Sequence, residues 1–190
     1  MKTFRQHLLE MPQYYPGAVS YQKDAKFVPV SVRNANTYTV IHQDPEFTYT
    51  VDSALTTGFI FETKDMTSKE QHILPVLRVS LRDSGIENLK QAHFLRIRAN
   101  FSEKGLATTW YLSYVNHVGG VVSDAEHLTG GKVLWQSFIK TAEKDSGLDI
   151  KLHDKNNGVE TDVTSKTPED EIWSTGNDSK KNLVLVLRKK

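Results

Sequence analysis

Phe94-Leu-Arg-Ile-Arg-Ala-Asn-Phe-Ser-Glu-Lys-Gly-Leu-Ala-Thr-Thr-Trp-Tyr111 is the stretch on which the fold turns. It opens with alternating apolar and charged residues, the pattern of a half-buried strand, and closes on residues that recur with helical spacing. The helix continues through Leu106, Trp110, Tyr114 and Val118, with Ala107, Tyr111 and Val115 beside them, and Gly119-Gly120 ends it. Between strand and helix lies Lys104-Gly105-Leu106-Ala107-Thr108. A helix start leaves backbone N–H groups without intrahelical carbonyls and carries the positive end of the dipole, so this loop predicts an anion site. Gly105 lets the backbone approach a ligand, and Lys104 and Arg98 add charge suited to a pyrophosphate. The same glycine also serves a helix start with no ligand at all, by relieving crowding.

Toward the N-terminus the pattern has period two and is rich in β-branched and aromatic residues: Phe27 to Val32, Thr37 to His42, Phe47 to Val51 and Gly58 to Glu62. Short connections carrying Asn34, Asn36, Asp44-Pro45 and Asp52-Ser53 suit tight turns, so an antiparallel meander is expected. Strands follow at Val76 to Leu81 and His93 to Ala99. Beyond the first helix come a short strand at Val121 to Ser123, a helix from about Gly131 to Ala142 and a strand at Leu148 to Leu152. Asn182 to Arg188 is an unbroken apolar run, which predicts a strand covered on both faces. The order predicts an α+β fold with a mixed, largely antiparallel central sheet and helices on its faces. Residues 1–16 read as an amphipathic appendage and 17–190 as a single domain, with the polar stretch 153–171 an exposed excursion or long hairpin.

Composition narrows the function classes. The chain has 190 residues, 38% hydrophobic and 25% charged, enough for a sizeable core. Lys plus Arg number 24 against 23 Asp plus Glu, so no overall field favours a nucleic-acid backbone or an anionic membrane as partner. Cysteine is absent, which removes disulfides, thiolate chemistry and cysteine-ligated metals. No apolar run approaches the roughly 20 residues of a membrane span, and the first residues lack the apolar core of a secretory signal.

The strand, loop and helix around Gly105-Leu106-Ala107 resemble the Gcn5-related N-acetyltransferase (GNAT) superfamily, whose members bind the pyrophosphate of acetyl-CoA with a Gln/Arg-x-x-Gly-x-Gly/Ala loop between a central strand and a helix. Ser102 stands where the family has Gln or Arg. Gly120-Val-Val-Ser-Asp-Ala-Glu-His-Leu-Thr-Gly-Gly-Lys-Val-Leu-Trp135 is similar to a phage-encoded branch of that superfamily. Together the two patterns span residues 93 to 140. The resemblance implies a GNAT-like fold and, if active, acetyl transfer to an amine. Arg98 and Lys104 to Thr108 (Lys104, Gly105, Leu106, Ala107, Thr108) would then take acetyl-CoA, and Phe94 to Arg98 would pair with its pantetheine arm. Asp124 and His127 are the candidate proton movers, because a histidine accepts a proton near neutral pH. Asp124 and Thr129 also suit turn and helix caps, and Tyr111 and Tyr114 suit either core packing or a proton donor to a leaving thiolate.

A rival pattern is Asp52, Glu62 and Lys64, the spacing of many metal-dependent nucleases, in which two carboxylates hold magnesium and the lysine steadies a phosphate. No histidine spacing supports zinc. Met1-Lys-Thr-Phe-Arg-Gln-His-Leu-Leu-Glu10 resembles the capsid-targeting peptides of internal proteins of large tailed bacteriophages, which end in Leu-x-Glu or Ile-x-Glu where a prohead protease cuts. That resemblance implies a place in the virion interior or host cytoplasm. It also implies, as the alternative to an enzyme, a protein that acts by binding a host or virion protein.

Overall fold

The fold is that of a computed structural model, which describes residues 30–31, 38–68, 72–101, 104–124, 129–173 and 182–190. The N-terminal helix and its Glu10, most of the first expected strand, Ser102, Glu126 and His127 lie outside the described residues. The architecture is α+β. Strands β2 (Tyr38–Gln43), β3 (Phe47–Asp52), β4 (Thr57–Glu62), β6 (Leu77–Asp83), β7 (Lys90–Ile97), β8 (Gly120–Val122), β9 (Leu148–Asp154), β10 (Glu160–Asp162) and β11 (Leu183–Lys189) form one sheet. Its order is β10-β9-β11-β8-β7-β6-β4-β3-β2. Strands β1 (Val30–Ser31) and β5 (His72–Ile73) make a separate pair. Among the described residues the helices are α1 (Thr63–Met66), α2 (Leu106–Val118), α3 (Thr129–Ala142) and α4 (Glu169–Ile172). None is long and apolar enough to cross a membrane.

Alternation along the strands divides the sheet into two faces. One face carries Tyr49, Val51, Ile60, Leu77, Val79, Leu81, Val121, Ile150, Leu185 and Leu187, and α2 and α3 pack on it. Trp110 lies flat over Gly58, where any Cβ would enter the indole, and its Nε1 donates to the Thr50 carbonyl at 3.1 Å. Tyr114 stacks on Trp110 at 5.0 Å, and Tyr111 reaches Phe138 of α3 at 5.5 Å. The other face holds two smaller apolar clusters. Phe59, Phe61 and Ile73 form one, and Ile86, Val122, Val184 and Val186 the other. Strand β11 is buried on both faces because Leu185 and Leu187 enter the main core while Val184 and Val186 enter the second cluster.

Every neighbouring pair in the large sheet is antiparallel except β7 and β8. The 153–171 stretch returns along β9 as β10 and tucks in Val163, and Ile172 at the end of α4 and Trp173 just after it are buried as well. It is therefore a hairpin anchored by three apolar side chains, with its turn exposed at Val159.

Candidate functional site

The parallel pair pairs only briefly: Lys90 opposes Val121 and Gln91 opposes Val122. Past that point β8 ends while β7 runs on to Ile97. From His93 to Ile97, β7 has β6 on one side and no strand on the other among the described residues. That edge offers backbone N–H and C=O groups to an extended ligand over roughly 13 Å. At the same point β7 bulges: Ser80 opposes Phe94 and Leu81 opposes Ala92, leaving His93 as the extra residue. A bulge re-aims a side chain, and here it turns His93 outward, with 51% of its side chain exposed.

The narrow end of this fork holds a connected polar cluster. Asp124 Oδ1 accepts from Arg82 Nη2 at 3.2 Å and from Gln91 Nε2 at 3.3 Å, and Oδ2 meets His93 Nδ1 at 3.2 Å. Gln91 is buried, donates to the Ser123 carbonyl at 2.8 Å and accepts from Arg82 Nε at 3.3 Å and Lys155 Nζ at 3.4 Å. Burial, and then the neighbouring Arg82 charge, hold Lys155 below the ordinary lysine range. Ser123, fully buried, accepts from the Leu185 N–H through its Oγ, which ties the end of β8 to β11 and fixes Asp124 next to it. A carboxylate on Nδ1 keeps a proton there and leaves Nε2 of His93 as the proton acceptor.

The wide end of the fork is the start of α2. Gly105 is its N-cap with φ of +68°, a left-handed conformation that favours glycine, and no side chain caps the helix. Nothing lies within 4 Å of where a Cβ on Gly105 would sit, so the glycine answers a backbone need rather than a crowded one. The N–H groups of Leu106, Ala107 and Thr108 are those a helix leaves without an intrahelical acceptor. The two cations expected beside them are engaged elsewhere. Lys104 Nζ bonds Glu46 at 3.1 Å above the Phe47 ring, and the Arg98 guanidinium lies 5.1 Å from the centre of Phe101.

The expected pairing of Asp124 with His127 falls on a residue outside the described ones; the histidine brought to Asp124 is His93, 31 residues away in sequence. Sequence reading also missed Arg82, Gln91 and Lys155, since no local spacing links them. The nuclease set is not assembled. Asp52 and Glu62 stand at opposite ends of the β3–β4 hairpin, roughly 17 Å apart by strand geometry. Asp52 is bound to Thr56, and Lys64 to Glu62 at 3.2 Å. Among the described residues no three metal-ligating side chains converge. Tyr111 and Tyr114 are core residues, and burial pushes both phenols far up. Comparison with models of known families, with curated proteins and with solved structures returned no match.

Proposed function

We propose that the chain has a GNAT-like fold of tailed-bacteriophage type and transfers an acetyl group from acetyl-CoA to an amine. The fork carries this reading. An open strand edge leads from a polar cluster to an uncapped helix start, which suits a ligand with amides along an extended arm and phosphates at its end. When bound, acetyl-CoA supplies a thioester whose carbonyl carbon an amine attacks, the C–S bond breaking to release the CoA thiol. Residues 93–97 would hold the arm, and the N–H groups of Leu106, Ala107 and Thr108 the pyrophosphate. At the narrow end Arg82 and Gln91 fix Asp124, Asp124 orients His93, and His93 Nε2 takes the proton the amine loses. A positioned proton acceptor of this kind contributes roughly a hundredfold to ten-thousandfold in rate.

Leu8-Leu9-Glu10 and the Ser123-Asp124 to Leu134-Trp135 pattern support the phage assignment, and with it a location in the virion interior or host cytoplasm. The second reading is a non-enzymatic protein that keeps this fold and binds a host or virion protein. It is favoured by Lys104 and Arg98, which are held by Glu46 and Phe101 rather than at the helix start.

A thermal-shift titration with acetyl-CoA and with CoA separates the two. At a hundred times its dissociation constant a ligand adds about 2.7 kcal/mol, a rise in Tm of about 5–10 °C for a chain of this size. No rise with either compound removes the transferase and leaves the binding protein.

A further inference from the structure

Between the two apolar clusters on the face away from α2 and α3 lies a stripe of arginines. Arg78 and Arg82 stand on one side of β6, and Arg96 is the register partner of Arg78 on β7. Like charges directly opposite on neighbouring strands repel. Here they are kept with no carboxylate partner among the described residues, each against a ring instead: Arg78 at 6.0 Å from Phe59 and Arg96 at 4.6 Å from Phe94. These ring contacts preorient the guanidiniums, whose planar forks match carboxylates. Arg82 continues the stripe to Asp124, so its far end reaches the polar cluster beside His93.

The stripe is short. From Arg78 to Arg82 it runs roughly 13 Å, the reach of four or five extended residues. At the Arg82 end it meets the Asp124 carboxylate, 3.2 Å from Nη2. A nucleic-acid backbone, charged at every step, would run past the arginines onto the Asp124 carboxylate. A peptide with two or three acidic side chains would not.

We propose that this arginine stripe docks a short acidic segment of a protein partner. The proposal deepens the transferase reading and rests on it for one point only, that the docked segment is the one bearing the acceptor amine.

The test is a fluorescence-anisotropy titration of the whole chain, without cofactor, using a labelled peptide of alternating glutamate and serine around one lysine. Oligothymidylate of equal charge is the competitor class. The peptide is expected to bind, more weakly as salt rises, and roughly tenfold or more weakly to the doubly substituted R78E/R96E chain. Arg78→Gln with Arg96→Gln serves if the charge-reversed chain fails to fold, and its Tm should equal or exceed that of the parent, because a repulsion is removed. Equal peptide affinity in parent and variant, no peptide binding, or preference for oligothymidylate each overturns the proposal. An acetyl-CoA thermal shift on the same samples keeps the two ideas apart. A shift without peptide binding sinks only the docking stripe, while stripe-dependent binding without a shift sustains the stripe and sinks the transferase.

Discussion

The sheet-facing side of α2 and its start meet very different surroundings. Toward the sheet, Trp110, Tyr111 and Tyr114 are buried among Gly58, Phe138 and Trp135, with ring contacts on every side. At its start, the Cβ position of Gly105 faces open space, and the adjoining fork carries the half-exposed Arg82 and His93 on either side of Asp124. The packed region gains its free energy from apolar burial and has little room for change. The fork contributes little to that burial, and its bonds hold charged groups in fixed relation. Substitutions should therefore separate cleanly: those in the first region unfold the chain, and those in the second spare the fold and remove function.

The largest effect expected is for Trp110→Ala, about 4 kcal/mol by urea unfolding, since it empties the centre of the core and strands the Thr50 carbonyl. Gly58→Ala should cost about 2 kcal/mol by forcing the same indole to move. Asp124→Asn should sharpen the contrast in the opposite sense. It keeps the shape but loses the charge that orients His93 and Arg82, so acetyl transfer should fall roughly a hundredfold while Tm changes by only a few degrees. A Tm loss comparable to that of Trp110→Ala would mean that the cluster is structural.

A smaller effect separates the fork from the β9–β10 edge. Glu160 accepts two bonds from Arg188, and these, with a weaker contribution from its contact with His153, hold its carboxyl below the usual range against the opposing effect of burial. A carboxyl lowered by folding stabilises the native state above its unfolded value of 4.5, and that contribution disappears as pH falls through the lowered value. Glu160→Gln should thus cost about 1 kcal/mol at neutral pH and nothing in strong acid, as measured by unfolding at several pH values. The smallest change expected is for Tyr114→Phe. The Tyr114 hydroxyl is buried without a partner among the described residues, so its removal should leave stability equal or slightly higher.

How much of this was legible in the sequence follows from the physics of each signal. Helix α2 was readable to its last residue, because Leu106, Trp110, Tyr114 and Val118 keep one phase and Gly119 takes the left-handed cap at φ of +98°. The expected strand His93 to Ala99 starts three residues after the first residue of β7 and runs two past its last. The bulge at His93 places the buried Gln91 and Ala92 side by side, which breaks the alternation on which the reading depends. The same bulge hid the site. Arg82, Gln91, His93, Asp124 and Lys155 come from four separate segments, and only pairing register brings them together. The loop that starts α2 is legible as Gly105-Leu106-Ala107, but the direction of Lys104 depends on Glu46, 58 residues away.

Hydrogen exchange followed by mass spectrometry, with and without saturating acetyl-CoA, tests the central claim most directly. The account predicts slower exchange in peptides covering residues 93–97 and 105–109, where a bound arm and pyrophosphate would engage backbone amides, and no change across residues 47–62 in the packed core. Unchanged exchange at the fork, or protection confined to other parts of the chain, would contradict it.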